Sequence, residues 1–188
     1  MNAMVQTQQR TPDVHAAAGM PQEAAQYLTF MLAGEIFAVG ILAVKEIIEY
    51  QKITEVPMMP ECVRGVINLR GAVVPVMDLL ARFGRPSSEV TKRTCIVIVE
   101  IHPDADADGA HERQIIGVVV DAVNEVLDIA ASEIEPAPAF GAKIRTDFIQ
   151  GMGKVQGRFV ILLNVDHVLS LDEATLAALE NKGLSEAA

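Results

Sequence analysis

Gly65-Val66-Ile67-Asn68-Leu69-Arg70-Gly71 and Gly151-Met152-Gly153-Lys154-Val155-Gln156-Gly157 follow one pattern, two glycines enclosing five residues. The two stretches lie 86 positions apart, and the same offset sets Val73-Val74 on Phe159-Val160. Ile67 then meets Gly153, and Leu69 meets Val155. A second offset, 79, sets Val44-Lys45-Glu46-Ile47-Ile48 on Val123-Asn124-Glu125-Val126-Leu127. Just before that match, Val39 falls on Val118 and Ile41 on Val120. The offsets differ by 7, which one longer loop around Pro136-Ala137-Pro138 absorbs. Self-similarity over such a span is a statement about fold. Each unit holds about five short strands, too few for a sandwich and suited to a small closed barrel. The reading is a mainly β chain of two tandem five-stranded β-barrels packed side by side, the units parting near residue 90.

Working outward, Tyr27 to Leu32 and Ile36 to Val39 are β-favouring runs around Gly34-Glu35, which predicts a tight hairpin. Glu46 to Tyr50, Val63 to Leu69 and Val73 to Met77 continue the texture, with Gly71 where the last two must reverse. Pro75 argues for an edge or bulged position. Asp78 to Arg82 reads as one helical turn, stopped by Gly84 and Pro86. Thr94 to Glu100, Gln114 to Val120, Phe148 to Val155 and Arg158 to Asn164 supply the strands of the second half. Residues 1–25 are polar and without period, a disordered arm. Residues 172–188 form a C-terminal helix and tail, with Asp172 at the helix start and Gly183 stopping it after Lys182.

Hydrophobic residues make up 51% of the 188 and charged residues 21%, a globular balance. Aromatics are only 4%, so the core must be built from Val, Ile, Leu, Ala and Met. With 15 Lys+Arg against 25 Asp+Glu the formal charge is −10, which lacks the electrostatic footprint for nucleic acid or anionic membrane. No run approaches the roughly 18 apolar residues of a spanning helix, and the N-terminus has no signal-peptide pattern. Cys62 and Cys95 cannot make a disulfide framework, so they read as small buried hydrophobes in a reducing compartment. A cytoplasmic protein is the expectation.

Motifs that promise chemistry fail one after another. Asp104-Ala-Asp106-Ala-Asp108-Gly109 begins like a calcium loop, but its twelfth position is Ile115, where a bidentate Glu is needed. Gly151-Met-Gly153-Lys154 lacks the earlier glycine and the Ser/Thr of a phosphate loop, since Phe148 and Val155 stand there. His15, His102, His111 and His167 have no ligand spacing, and no nucleophile elbow exists. Asp121 and Glu125 are a carboxylate pair by spacing only, and surface acids are the plainer reading. No metal, no cofactor and no catalytic residue is expected.

Function then falls to exposed residues that break the strand pattern. Gly65 interrupts a strand and marks a bulge or a close backbone approach. Asn68, Leu69, Arg70 and Gly71 lead into a turn, where Asn and Gly take positive φ and Arg70 presents a five-donor fork. The alternative for Arg70 is that it caps its own turn or pairs with Glu46. Glu46 sits between Val44 and Ile47-Ile48, an acid among apolar side chains, with a solvated face as its plainer reading.

These residues resemble a known family, the CheW-like adaptors of bacterial chemotaxis. The likeness is carried by Val44-Lys-Glu46-Ile47, Val56-Pro57 with Pro60, and Gly65 through Asn68-Leu-Arg70-Gly71 to Pro75-Val-Met-Asp78-Leu. It continues in Ile116-Gly-Val-Val-Val-Asp121-Ala-Val123, Glu125-Val-Leu127 and Ile134-Glu-Pro136-Ala-Pro138. It implies one CheW-like domain over residues 26–171, two intertwined SH3-like barrels around a shared apolar seam, and a stand-alone, monomeric coupling protein. It also implies partners: the regulatory domain of a CheA-type histidine kinase at the barrel edges, and the cytoplasmic tip of methyl-accepting receptors between barrels. Carried over, Val44, Glu46 and Ile47 fall at the partner-facing edge, and Gly65, Asn68, Leu69, Arg70 and Gly71 in the motif around the arginine. The acidic loop and the N-terminal arm depart from the family pattern. Two other readings stand beside it: a small-ligand-binding β-barrel protein, and a scaffold of a parallel, non-flagellar chemosensory pathway.

Overall fold

The run Cys95-Ile-Val-Ile-Val-Glu-Ile101 has no polar face, which suits a strand buried on both sides rather than the skin of a single barrel. The fold supplies both coverings. In the computed structural model, residues 23–103, 113–137 and 145–171 are described. The strands are β1 (Ala24–Leu32), β2 (Glu35–Gly40), β3 (Val44–Glu49), β4 (Val63–Leu69), β5 (Ala72–Asp78) and β6 (Cys95–Ile101). They continue as β7 (Gln114–Val120), β8 (Ala122–Ala130), β9 (Ile134–Glu135), β10 (Ile149–Val155) and β11 (Arg158–Leu163). Two single-turn helices, α1 (Leu79–Arg82) and α2 (Val165–Val168), follow β5 and β11.

Pairing builds a six-stranded sheet, β8-β1-β2-β11-β10-β9, and a five-stranded sheet, β3-β6-β7-β5-β4. The hydrogen-bond ladders leave both sheets open, so neither barrel is closed by strand pairing. Alternation assigns each strand's residues to two cores. Along β6, Ile96 and Ile98 point into the five-stranded sheet's own core, while Val97, Val99 and Ile101 face the seam between the sheets. Along β2, Phe37 and Val39 face the seam and Ala38 the other core. The seam is the largest of the three clusters, and Phe30, Phe37, Phe83 and Phe148 stack through it in series at 5.8 to 6.4 Å.

The duplication extends further than the sequence reading took it. β1, β2, β3, β4, β5 and α1 correspond to β6, β7, β8, β10, β11 and α2, and both sheets list their equivalents in the same order. Asp78 N–H donates to Cys62 O at 2.8 Å, and 86 residues on Asn164 N–H donates to Phe148 O at 2.8 Å. The register slips between Val63 and Gly65 in one hairpin and between Ile149 and Gly151 in the other. The sheets do not divide between the two repeat units. The six-stranded sheet takes β1 and β2 from the first unit and β8 to β11 from the second, and the other takes β3 to β7. The units join at the antiparallel ladders β1–β8 and β3–β6 and at the parallel ladders β2–β11 and β5–β7.

Several local expectations shift by a residue or two. The first turn is Ala33-Gly34, both at positive φ, with Glu35 already in β2 opposite Leu32. Strand β1 begins at Ala24, inside the expected arm. Pro75 lies on an inner strand, opposite Val66, and the parallel ladder to β7 starts only at Val76, so its missing N–H interrupts no pairing there. Cys62 is buried and Cys95 half-buried, its thiol donating to Arg93 O. The expected helix over 172–182, the acidic loop 104–109 and most of the arm lie outside the described residues.

The paired single-turn helices give an internal comparison. Asp78 caps α1 by accepting from Ala81 N–H and also receives Arg64 Nη1 at 3.1 Å, whereas Asn164 caps α2 by accepting from His167 N–H. Removing a cap costs about 1 kcal/mol, and stranding a charged partner roughly doubles that. Urea unfolding should therefore show Asp78→Ala losing about 2 kcal/mol and Asn164→Ala about 1 kcal/mol. Equal losses would mean that Arg64 adds nothing to Asp78.

Candidate functional site

Strand β4 ends at Leu69 and β5 begins at Ala72, leaving Arg70-Gly71 as a two-residue hairpin turn. Both turn residues have positive φ, 51° and 85°, the type I′ geometry that matches the twist of the flanking strands. Asn68 Oδ1 accepts from Gly71 N–H at 2.9 Å across the turn. Arg70 then reaches β3, where Nη1 donates to Glu46 Oε1 at 2.7 Å and Nη2 to Oε2 at 2.8 Å. β3 and β4 are the two outer strands of the five-stranded sheet, so this planar double bond clasps the edges that no ladder closes. The Arg70 side chain is 76% exposed and that of Glu46 25%. Donation to the Glu46 carboxylate, then the charge of that carboxylate, raises the Arg70 pKa above its ordinary value, so the fork is a permanent cation.

The other expected residues divide into surface and support. Ile47 is exposed beside Glu46. Val44 is half-buried against the seam, and the slip between Val44 and Glu46 lets Ile48 turn into the sheet's own core. Leu69 is half-buried over that same core, and Gly65 is buried under Thr54. Gly71 supplies the turn. The structure therefore brings Glu46, Ile47, Asn68 and Arg70 to the surface and keeps Gly65 beneath it.

Among the exposed apolar residues that the sequence reading left out, three fall at repeat-related positions. Ile47 is 44% exposed and its repeat partner Val126 46%, while Val73 is 40% exposed and its partner Phe159 55%. Both sheets thus show an apolar residue on the edge strand and another at the start of the strand after the turn. The two offsets already relate these positions, and reading exposure through the repeat would have found them. The clasp has no such twin. Gln156 stands where Arg70 does and Lys154 where Asn68 does, so the second turn carries no ion pair to Glu125.

Asp121 and Glu125 do not form a working pair. Asp121 Oδ2 accepts from Ala33 N–H at 2.8 Å and from Ser88 Oγ at 3.0 Å, which pins the first turn, and Glu125 is exposed on β8. A void in the seam, lined by Phe30, Val39 and Val97 among others, holds about 10 Å³, room for at most about one water and nothing larger.

On the outer side of β3, Lys45 Nζ lies 2.9 Å from Glu100 Oε2, with His102 Nε2 at 3.6 Å and Arg113 Nη1 at 4.0 Å from the other oxygen. The Lys45 hydrogen bond, reinforced by these charges, holds the Glu100 carboxyl below the usual glutamate range. A lowered folded pKa stabilises the fold at pH values above the unfolded value and is lost as pH falls through the folded one. Glu100→Gln should lower the melting temperature slightly at pH 7, and the gap from wild type should close as pH falls below about 4. A gap that stays constant down to pH 2 would contradict the lowered pKa.

The family described as the CheW-like domain matches residues 26–173. The chain is 31% identical over 151 residues to the chemotaxis protein CheW of Klebsiella aerogenes, covering 80% of this chain and 85% of that one. It is 34% identical over 151 residues to the chemotaxis protein CheW of Bacillus subtilis, covering 80% and 90%. Among solved structures it is similar to the scaffolding protein TtCheW from Thermoanaerobacter tengcongensis. That likeness has a TM-score of 0.68 and 34% identity, over 84% of this chain and 95% of that one.

Proposed function

The chain belongs to the CheW-like domain family, and from that premise we propose that it is a non-enzymatic chemotaxis adaptor coupling a CheA-type histidine kinase to methyl-accepting receptors. It works in the cytoplasm, is recruited to receptor arrays at the membrane, and is a monomer on its own. The regulatory domain of the kinase and the cytoplasmic tip of the receptor are its partners. The observation that carries this reading is the Arg70–Glu46 fork across two strand edges, with Ile47 exposed on β3 beside Glu46 and Val73 exposed near the start of β5.

The physics of such a surface suits coupling. A charge-assisted bidentate pair sets register and orientation, and nearby aliphatic side chains supply burial when a partner covers them. Each such contact is modest, and several acting together in an array become strong. The seam void is too small for the ligand that a small-molecule receptor would take.

Reconstitution tests the proposal. Receptor-bearing membranes mixed with a CheA-type kinase should pellet far more kinase when this protein is added, and kinase activity should then respond to receptor ligand. Kinase that pellets equally well without it would defeat the proposal.

A further inference from the structure

Asn68 and Lys154 occupy equivalent places before equivalent turns, and only Asn68 can accept a hydrogen bond there. Both turns are type I′, with Arg70 and Gln156 at φ 51° and 49° and Gly71 and Gly157 at 85° and 76°. The second turn forms without any acceptor from Lys154. The bond from Gly71 N–H to Asn68 Oδ1 is therefore not needed to make the turn, and some other requirement separates the two copies. The difference is that the residue in the first turn must hold a guanidinium on Glu46, whereas Gln156 holds nothing charged.

We infer that Asn68 is a positioning residue, whose side chain locks the Arg70-Gly71 peptide so that the Arg70 fork stays in bidentate register with Glu46. A fork bonded at 2.7 and 2.8 Å tolerates little rotation of the residue that carries it. Arg70 sits in a left-handed conformation that arginine does not favour, and it is exposed, so packing does little to hold it. The Asx-type bond ties the amide immediately after Arg70 back to the strand before it. That bond limits the swing of the Arg70 Cα–Cβ vector.

The inference rests on the adaptor reading only for its consequence, and the test separates the two. In ¹⁵N NMR of the full chain, the Arg70 Nη nitrogens, assigned with Arg70→Lys, should give separate signals because the bidentate pair hinders guanidinium rotation. Asn68→Ala should leave the amide spectrum of both sheets in place but merge those signals, as Glu46→Gln does. Asn68→Asp, which keeps the acceptor, should restore them. Separate Arg70 signals in Asn68→Ala would overturn the inference. Co-pelleting with kinase and receptor membranes should fall in Asn68→Ala by about the same factor as in Glu46→Gln, and no further in the double variant. Merged Arg70 signals with undiminished co-pelleting would uphold the positioning role and sink the reading of this fork as a partner contact.

Discussion

Arg70→Glu should fold normally and lose its association with kinase and receptor. The side chain projects into solvent from a hairpin turn, and its departure opens no core, so the unfolding midpoint should move little. At the sheet edge the change is severe. A fork that joined Glu46 at 2.7 and 2.8 Å becomes a second carboxylate beside it. Any partner group matched to the clasped pair then meets two negative charges, and like-charge juxtaposition at an interface weakens binding on the order of 100-fold. Co-sedimentation with receptor membranes and a CheA-type kinase reads the loss directly. Adding Glu46→Arg to the same chain distinguishes two versions of the idea. Recovery would mean that the partner needs the pair in either orientation, and continued loss that it contacts the arginine itself. Unchanged co-sedimentation of Arg70→Glu would remove Arg70 from the interface. The effect should also shrink at high salt, because exposed charges are screened within about 8 to 10 Å.

How much of this could be seen in the sequence depends on which kind of information a residue carries. The repeat was legible because glycine pairs, apolar runs and Glu46 or Glu125 recur at fixed offsets. The exchange of strands between sheets was implied only by the family resemblance, because an offset states which segments are equivalent and says nothing about which are paired. Ile36-Phe-Ala-Val39 is apolar on both faces and would sit equally well in either sheet, so only the tertiary partners decide. The first turn was displaced by one residue for a related reason. Gly34 announces a turn, but the positive φ of Ala33 is supported by Asp121, a carboxylate 88 positions away. Arg70 and Glu46 were legible as candidates and even as a possible pair, since both break an apolar pattern. The exposed Val73, Val126 and Phe159 were not, because β-favouring residues on a strand look the same whether they face a core or water.

The exchange also bears on the rigidity of the adaptor. Each sheet owes its inner strands to both repeat units, and the parallel ladders β2–β11 and β5–β7 join them inside the sheets. Pulling on the β3–β4 edge therefore acts on strands of the second unit directly, through β6 and β7. Two barrels merely linked by a tether would let one partner move without the other. Strand exchange makes them one mechanical body, which suits a scaffold that couples other proteins.

Gly65→Ala should be the most damaging alanine substitution among the described glycines, and its damage should be to folding alone. At φ 141° an alanine is strained, and its Cβ would collide with Thr54 O and stand 2.9 Å from Ile53 Cγ2. Thr54 cannot retreat cheaply, because its N–H and C=O both bond Val66 at 2.9 Å. Backbone strain and forced overpacking together give a loss of about 4 kcal/mol in urea unfolding. That is a fall of about 10 °C or more in melting temperature for a domain of this size. Gly157→Ala supplies the control. Its φ of 76° lies by the left-handed well, which L residues enter at modest cost, and nothing lies within 4 Å of the added Cβ, so strain alone should cost about 1 kcal/mol. Equal losses for the two would show that the Thr54 strand is free to move and that the close approach constrains nothing. The comparison also decides what Gly65 does for function. It is buried beneath Thr54 while Arg70 is exposed at the end of the same hairpin, so the molecules of Gly65→Ala that do fold should bind kinase and receptor normally. A folded Gly65→Ala fraction that failed to bind would place a partner's backbone against this glycine, where the structure puts only Thr54.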